Sequence, residues 1–164
     1  MIFRIEDLRS GEFAARTPRG GPPFFAVLGR PIAHSLSPMM QNAALSKIAE
    51  SDPAYRGSKY FAFEVAPEDL ADALRALREK NFSGVNLTIP HKEAAFSLLD
   101  DFDPDAKLAG ACNTLLGTPG GWKGYNTDGF GLEKAAESSL GREIGGSDIV
   151  IVLSLIHISE PTRH

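Results

Sequence analysis

GVNLTIPHKEAAFSLL, residues 84–99, decides the fold, because it reads as a strand (84–90) stopped by Pro90 and followed at once by a helix (91–99). Proline offers no backbone N–H to a sheet ladder, so it closes the strand. The same succession recurs on both sides. FFAVLG (24–29) is a short apolar run of buried-strand type, and Ser37-Pro38 then opens a helix to about Ala49, with Ser37 as N-cap and Pro38 at the first helical position. KYFAFEV (59–65) is a second strand, and Pro67 starts a helix in which Leu70, Leu74 and Leu77 share one face. Downstream, Asp103-Pro104 begins a short helical turn. CNTLLGT (112–118) and WKGYNTD (122–128) are extended around a turn at Pro119-Gly120-Gly121, GFGLEKAAESSL (129–140) is a helix, and SDIVIVL (147–153) is strand-like. Strands alternating with helices predict an α/β fold, a mostly parallel sheet flanked by helices. The short link between 112–118 and 122–128 predicts one antiparallel hairpin.

Composition narrows the class. A 43% hydrophobic content supports a real core, and 17 basic against 21 acidic residues give a net charge of −4. That balance offers no broad attraction to nucleic acid or anionic lipid, so an acidic ligand must be captured by local groups. No apolar run approaches the roughly 20 residues of a membrane-spanning helix. The charged N-terminus (Arg4, Glu6, Asp7, Arg9) does not read as a signal peptide. The single cysteine, Cys112, excludes an internal disulfide and a cysteine metal cluster. The expectation is a cytoplasmic protein without a metal, with no nucleic-acid or membrane partner.

Four polar clusters fall at strand–helix junctions, where ligands of open α/β sheets collect. Ser35 and Ser37 stand at the mouth of a helix whose free N–H groups and dipole favour an anion; equally, Ser37 is a simple cap and Ser35 a turn residue. Asn86 and Thr88 alternate along their strand and so face the same way. Lys92, in the first turn of the next helix, sits at the end that disfavours cations, and reads either as a working group or as a solvated lysine. Asn113 and Thr114 interrupt an apolar strand, as a structural bridge or a ligand contact. Asn126, Thr127 and Asp128 lie between strand and helix. Asp128 is a cap by default, but beside Lys92 it would complete a proton-handling pair.

HSLSP (34–38), NLTIPHK (86–92), GACNT (110–114) and GYNTDG (124–129) occur in the order and approximate spacing of the shikimate dehydrogenase family, which the chain resembles from residue 24 to about 153. The resemblance implies that Ser35 and Ser37 bind the shikimate carboxylate, and that Asn86, Thr88, Asn113 and Thr127 contact its carboxylate or ring hydroxyls. It also implies that Lys92 and Asp128 are the catalytic pair. The implied reaction is reversible, NADP-dependent reduction of 3-dehydroshikimate to shikimate, a step of the shikimate pathway of chorismate and aromatic amino acid biosynthesis. Lys92 would supply a proton to the ketone oxygen while Asp128 orients the hydroxyl and holds Lys92. A shikimate- or quinate-binding module without turnover, and a dehydrogenase of broader quinate/shikimate specificity, are the alternatives. The sequence departs from the family pattern at Gln41, His91 and Cys112. Cys112 reads as a small buried hydrophobe, and His34 and His91 as pocket-rim candidates for which structural roles lead.

The expected organisation is a leader or linker (1–23), the shikimate-binding catalytic domain (24–128), a connecting helix and linker (129–146), and the first strand of an NADP-binding Rossmann domain (147–153). In the family a glycine-rich turn would follow; here SLIHISEPTRH (154–164) contains no glycine, so no cofactor-binding residues are assigned, and the dehydrogenase activity is expected of the parent enzyme while this chain as it stands is expected to be inactive. Residues 154–164 are expected to be a non-native tail, since ISEPTR resembles the conceptual translation of sequencing-adapter DNA. NADP over NAD, and the oligomeric state, are not decided by these residues.

Overall fold

Apolar residues covered on both faces of the central strands fix the sheet in this computed structural model, which describes residues 2–10, 21–148 and 150. The strands are β1 (Ile2–Arg4), β2 (Phe24–Gly29), β3 (Lys59–Glu64), β4 (Phe82–Leu87), β5 (Asp101–Phe102), β6 (Thr114–Thr118) and β7 (Gly121–Tyr125). They form one sheet in the order β1-β3-β2-β4-β6-β7-β5. The pairs β1/β3, β2/β3, β2/β4 and β5/β7 are parallel, whereas β4/β6 and the expected hairpin β6/β7 are antiparallel. The helices are α1 (Ile5–Arg9), α2 (Ser37–Ser51), α3 (Leu70–Glu79), α4 (His91–Phe96), α5 (Pro104–Ala109) and α6 (Asp128–Leu140).

In α3, buried residues recur three and four apart (Leu70, Ala73, Leu74, Leu77), giving it one apolar stripe. That stripe joins the larger core with Phe24, Ala26 and Leu28 of β2, Phe63 of β3, and Phe82, Val85 and Leu87 of β4. Burial of each such leucine contributes roughly 1.5–3 kcal/mol. Trp122 of β7 reaches the same layer and donates its indole N–H to the Leu74 carbonyl at 3.1 Å. A smaller cluster on the other residues of β2 and β3 (Val27, Tyr60, Ala62) packs with Ile32 and Leu45 of α2. Asn42 anchors α2: its Oδ1 accepts the Tyr60 N–H at 2.9 Å and its Nδ2 donates to the Tyr60 carbonyl at 2.8 Å. β1 begins pairing only at Ala62, so this amide serves the edge of β3 where no strand reaches.

Several expectations change. Residues 2–9 are not linker: Ile2–Arg4 is an edge strand, and Ile5 and Leu8 of α1 enter the larger core. The charges that argue against a signal peptide, on Arg4, Glu6, Asp7 and Arg9, lie on its exposed side. Strands end earlier than anticipated, β4 at Leu87 and not at Pro90, and β6 begins at Thr114. Helix α2 starts at Ser37 with Leu36 in the cap position, so Ser37 is its first residue and not its cap. Asp128 likewise opens α6. Of the anticipated strand 147–153, residues 147, 148 and 150 carry no strand and the others lie outside the described residues, as do 11–20 and the whole of 154–164.

The chain forms two compact units, Met1–Phe130 and Gly131–His164. In the second, Lys134 bridges Glu137 at 2.6 Å, and Glu137 also accepts the Ile144 N–H at 3.4 Å. Among the described residues no helix is long and apolar enough to cross a membrane, and no group of three or more His, Cys, Asp or Glu could hold a metal ion.

Candidate active site

Topology brings the four clusters to one edge of the sheet. β2 and β4 are neighbours running the same way, so the segments after them, carrying Ser35, Ser37, Thr88 and Lys92, leave from the same end. β6 runs against β4 with Thr114 opposite Asn86, so its beginning, with Asn113, lies at that end too. β7 reverses once more with Tyr125 opposite Thr114, and Asn126, Thr127 and Asp128 follow there. The β2–β4 ladder extends past both strands: the Thr88 N–H donates to the Leu28 carbonyl and the Arg30 N–H to the Ile89 carbonyl, each at 3.0 Å.

Lys92 and Asp128, 36 residues apart, meet at 2.6 Å from Nζ to Oδ2. Their side chains are 35% and 54% exposed, so the pair is open to a ligand and reached by water. The Lys92 backbone is held from behind, its carbonyl accepting the Cys112 N–H at 3.0 Å. The hydrogen bond from Lys92 holds the Asp128 carboxyl below the usual carboxylate range; partial burial opposes this, while the Asn113 amide and the Lys92 charge add to it. Asp128 is therefore ionised near neutral pH, and its place in the first turn of α6 suits a carboxylate. An ammonium steadied by a carboxylate, both partly exposed, can donate a proton to a ligand oxygen.

Asn113 is the hub of this edge. Its Nδ2 donates to Asp128 Oδ1 at 2.7 Å and Thr127 Oγ1 at 3.0 Å, and its Oδ1 accepts the Thr127 N–H at 3.1 Å and the Thr114 hydroxyl at 3.0 Å. Its backbone is pinned from both flanks, accepting from the Leu87 N–H at 2.8 Å and donating to the Tyr125 carbonyl at 3.0 Å. The Asn86 amide is largely engaged within the protein: Oδ1 accepts the Tyr60 hydroxyl at 2.7 Å and Nδ2 donates to Thr114 Oγ1 at 3.0 Å. Ser35 and Ser37 are half-buried at the start of α2, and Ser35 Oγ accepts the Ser37 N–H at 3.3 Å. Ser35 thus serves the first helical N–H, the task expected of Ser37.

Three residues that carry this geometry were outside the predicted site. Asn126 receives the Asp128 N–H on Oδ1 at 3.0 Å and donates to the Ala111 carbonyl at 3.0 Å, tying the approach to Asp128 onto the loop before Asn113. An Asn two residues before a helical Asp is a recognisable side-chain turn, so this signal was present in GYNTDG. Tyr60 and Asn42 act across long sequence separations and gave no local sign. Beneath Asn86 and Thr114, a mostly apolar cleft of about 300 Å3 runs between α2 and the sheet, lined by Phe25, Leu45, Tyr60 and Gly84 among others.

The histidine and cysteine expectations resolve in different ways. His91 is no rim residue: it is fully buried, its Nε2 lies 3.0 Å from the Val65 carbonyl, and its Nδ1 has no partner. Burial pulls its pKa down, against the upward pull of the Val65 bond. His34 is exposed. Cys112 is fully buried, and burial pushes its thiol up to about 11, so it behaves as the small hydrophobe expected.

The strand ends of this α/β domain thus gather hydroxyls, amides and one lysine–aspartate pair on one side of the sheet. Residues 27–115 match the shikimate dehydrogenase substrate binding domain, and the chain belongs to that family. It is 41% identical over 128 residues to a shikimate dehydrogenase (NADP(+)) of Geobacillus, covering 78% of this chain and 44% of that protein. With the enzyme of that name from Geobacter metallireducens it shares 44% over 126 residues, covering 77% and 42%. Among solved structures, a shikimate 5-dehydrogenase of Thermus thermophilus in complex with shikimate superposes with a TM-score of 0.63 at 40% identity, covering 76% of this chain and 45% of that one. A shikimate dehydrogenase in complex with NADP+ gives 0.65 at 38% identity, covering 74% and 40%. The chain therefore spans less than half the length of these relatives.

Proposed function

We propose that this chain supplies substrate binding and proton handling to a shikimate dehydrogenase, an enzyme that interconverts 3-dehydroshikimate and shikimate with NADP. The observation that carries the reading is the 2.6 Å contact between Lys92 and Asp128 at the edge where the other predicted residues gather. In this reading residues 24–128 are the substrate-binding unit. Ser35 and Ser37 take the carboxylate at the start of α2, where the positive end of the helix dipole adds to the two hydroxyls. Thr88, Asn113 and Thr127 meet the ring hydroxyls, and Asn86 contributes from behind with the capacity Tyr60 and Thr114 leave it. Lys92 protonates the ketone oxygen in reduction and takes that proton back in oxidation. Asp128 orients the same hydroxyl and keeps Lys92 aimed.

Hydride chemistry belongs to NADP. Gripping its pyrophosphate calls for a glycine-rich loop between a strand and a helix, and no described strand of this chain leads into one. The described residues do not fit the cofactor, and the roles proposed for them are confined to substrate and proton.

Titration of the protein with shikimate by calorimetry, with an NADP+-dependent assay beside it, tests the proposal. Saturable binding that weakens at least tenfold in Lys92→Ala supports it, as does NADP+-linked oxidation, abolished by the same change, once the chain is joined to the cofactor domain of a relative. Absence of shikimate binding refutes it. Binding that survives Lys92→Ala without turnover makes the chain a capture module, and a preference for quinate gives it the broader specificity.

A further inference from the structure

We infer that Tyr60 is a positioning residue for the Lys92–Asp128 pair, acting on it through Asn86, Thr114 and Asn113. The inference rests on the reading of that pair as the working groups. Its basis is a chain of hydrogen bonds whose direction is fixed at every link. At Asn113, the Thr127 backbone N–H can only donate, so it must face Oδ1, which turns Nδ2 to Asp128 Oδ1 at 2.7 Å. The Thr114 hydroxyl, 3.0 Å from that same Oδ1, must then donate its one proton there. It is left to accept at 3.0 Å from Asn86, whose Nδ2 also faces the Asn113 carbonyl at 3.4 Å. Asn86 therefore shows Oδ1 to Tyr60, and the phenol must donate to it at 2.7 Å.

Nothing in the chain is free to turn around. The Tyr60 ring is 7% exposed and packs with Val27, Ile32, Leu45 and Ala62, which holds the phenol against Asn86. Burial also raises its pKa well above the ordinary phenol value, keeping the proton in place across the working pH range. Chains of like-directed hydrogen bonds polarise one another, and the last donor in this one ends on the Asp128 carboxylate. Without the phenol, Asn86 Oδ1 faces an apolar cleft unpaired. The amide then gains by rotating, Thr114 loses its donor, and the hold of Asn113 on Asp128 loosens.

The test reads Asp128 in the whole chain by following its carboxyl carbon through a pH titration in NMR, with no substrate or cofactor present. Tyr60→Phe removes one oxygen and is expected to raise the Asp128 midpoint by about half a pH unit. Thr114→Val, which breaks the chain without touching Tyr60, is expected to do the same and decides the matter if Tyr60→Phe does not fold. Asn86→Ala should absorb the effect, so that adding Tyr60→Phe to it moves the midpoint no further. Leu45→Ala, which loosens the packing around Tyr60 without meeting the chain, should lower stability and leave the midpoint alone. An unmoved midpoint in Thr114→Val and Tyr60→Phe, or an equal movement in Leu45→Ala, overturns the inference. The titration needs no turnover, so failure of the proposed activity and failure of this inference are separate results.

Discussion

Truncating Asn113 to alanine strips the site edge of its hub while sparing the backbone that joins β4, β6 and β7. The side chain donates to Asp128 at 2.7 Å and to Thr127 at 3.0 Å, and accepts from Thr114 at 3.0 Å and the Thr127 N–H at 3.1 Å. A neutral hydrogen bond is worth about 1 kcal/mol net and one to a charged group about 2, so full loss would cost about 5 kcal/mol. Water reduces that figure. Asp128 is 54% exposed and can be resolvated, whereas the half-buried Thr114 hydroxyl is served less well. About 2–3 kcal/mol is the expected net loss. Urea unfolding should show it as a midpoint lowered by roughly 1–2 M with an unchanged slope. Asp128 supplies a second readout. Its folded pKa is depressed, so its contribution is present above the unfolded value near 4 and lost as pH falls through the folded value. Asn113→Ala should narrow that window by raising the folded value. A stability loss below about 0.5 kcal/mol, the size of an ordinary surface change, would refute the hub role.

Three further outcomes are expected. Burial lowers the His91 pKa, so the unfolded chain takes up a proton that the folded one resists; stability should decline as pH falls below about 6.5, urea midpoints from pH 8 to 5 should record it, and His91→Phe should flatten that slope. A Cβ at Gly29 would lie 2.4 Å from Thr88 Cγ2 and 3.0 Å from Ile32 Cδ1, so Gly29→Ala should displace Thr88, cost about 1–3 kcal/mol and weaken shikimate binding; unchanged calorimetric affinity would remove Thr88 from the site. Leu77→Ala, at a position without solvent exposure in the α3 stripe, should cost about 2–5 kcal/mol in urea unfolding while leaving the Asp128 midpoint in place.

What the sequence disclosed follows from how local each signal was. The α3 stripe repeats within ten residues, and all three leucines named from it are buried. Each polar cluster borders a strand, so an alternating pattern was enough to put them all at strand ends. β1 and α1 were illegible because Arg4, Glu6, Asp7 and Arg9 dominate the text, while Ile5 and Leu8 gain their burial from a helix more than 60 residues away. The antiparallel pairing of β6 with β4 was equally silent, since a strand's partner across the sheet leaves no mark on its own residues. For His91 the structural role given first is the one found, since its ring fills an apolar site with one nitrogen on Val65 and the other unpaired; only the rim placement was not met. The Ser37 cap failed by one residue, the ordinary uncertainty of a helix boundary.

The sheet also explains why the pair is a lysine and an aspartate. Lys92 follows β4 and Asp128 follows β7, and β6 lies between those strands. Two strand spacings are about 10 Å, too wide for two short side chains to cross. A lysine stem covers most of that distance, and an aspartate placed by Asn126 and Asn113 covers the remainder with little freedom of its own. The two contributions differ in kind: Lys92 brings reach and rotamer freedom, whereas Asp128 has an N–H and a carboxylate oxygen already bound. Holding the short partner rigid fixes where the long one ends, so the ammonium keeps one position without a bond of its own to the scaffold beyond Asp128. The Lys92 carbonyl, bound by the Cys112 N–H, fixes the other end of the stem.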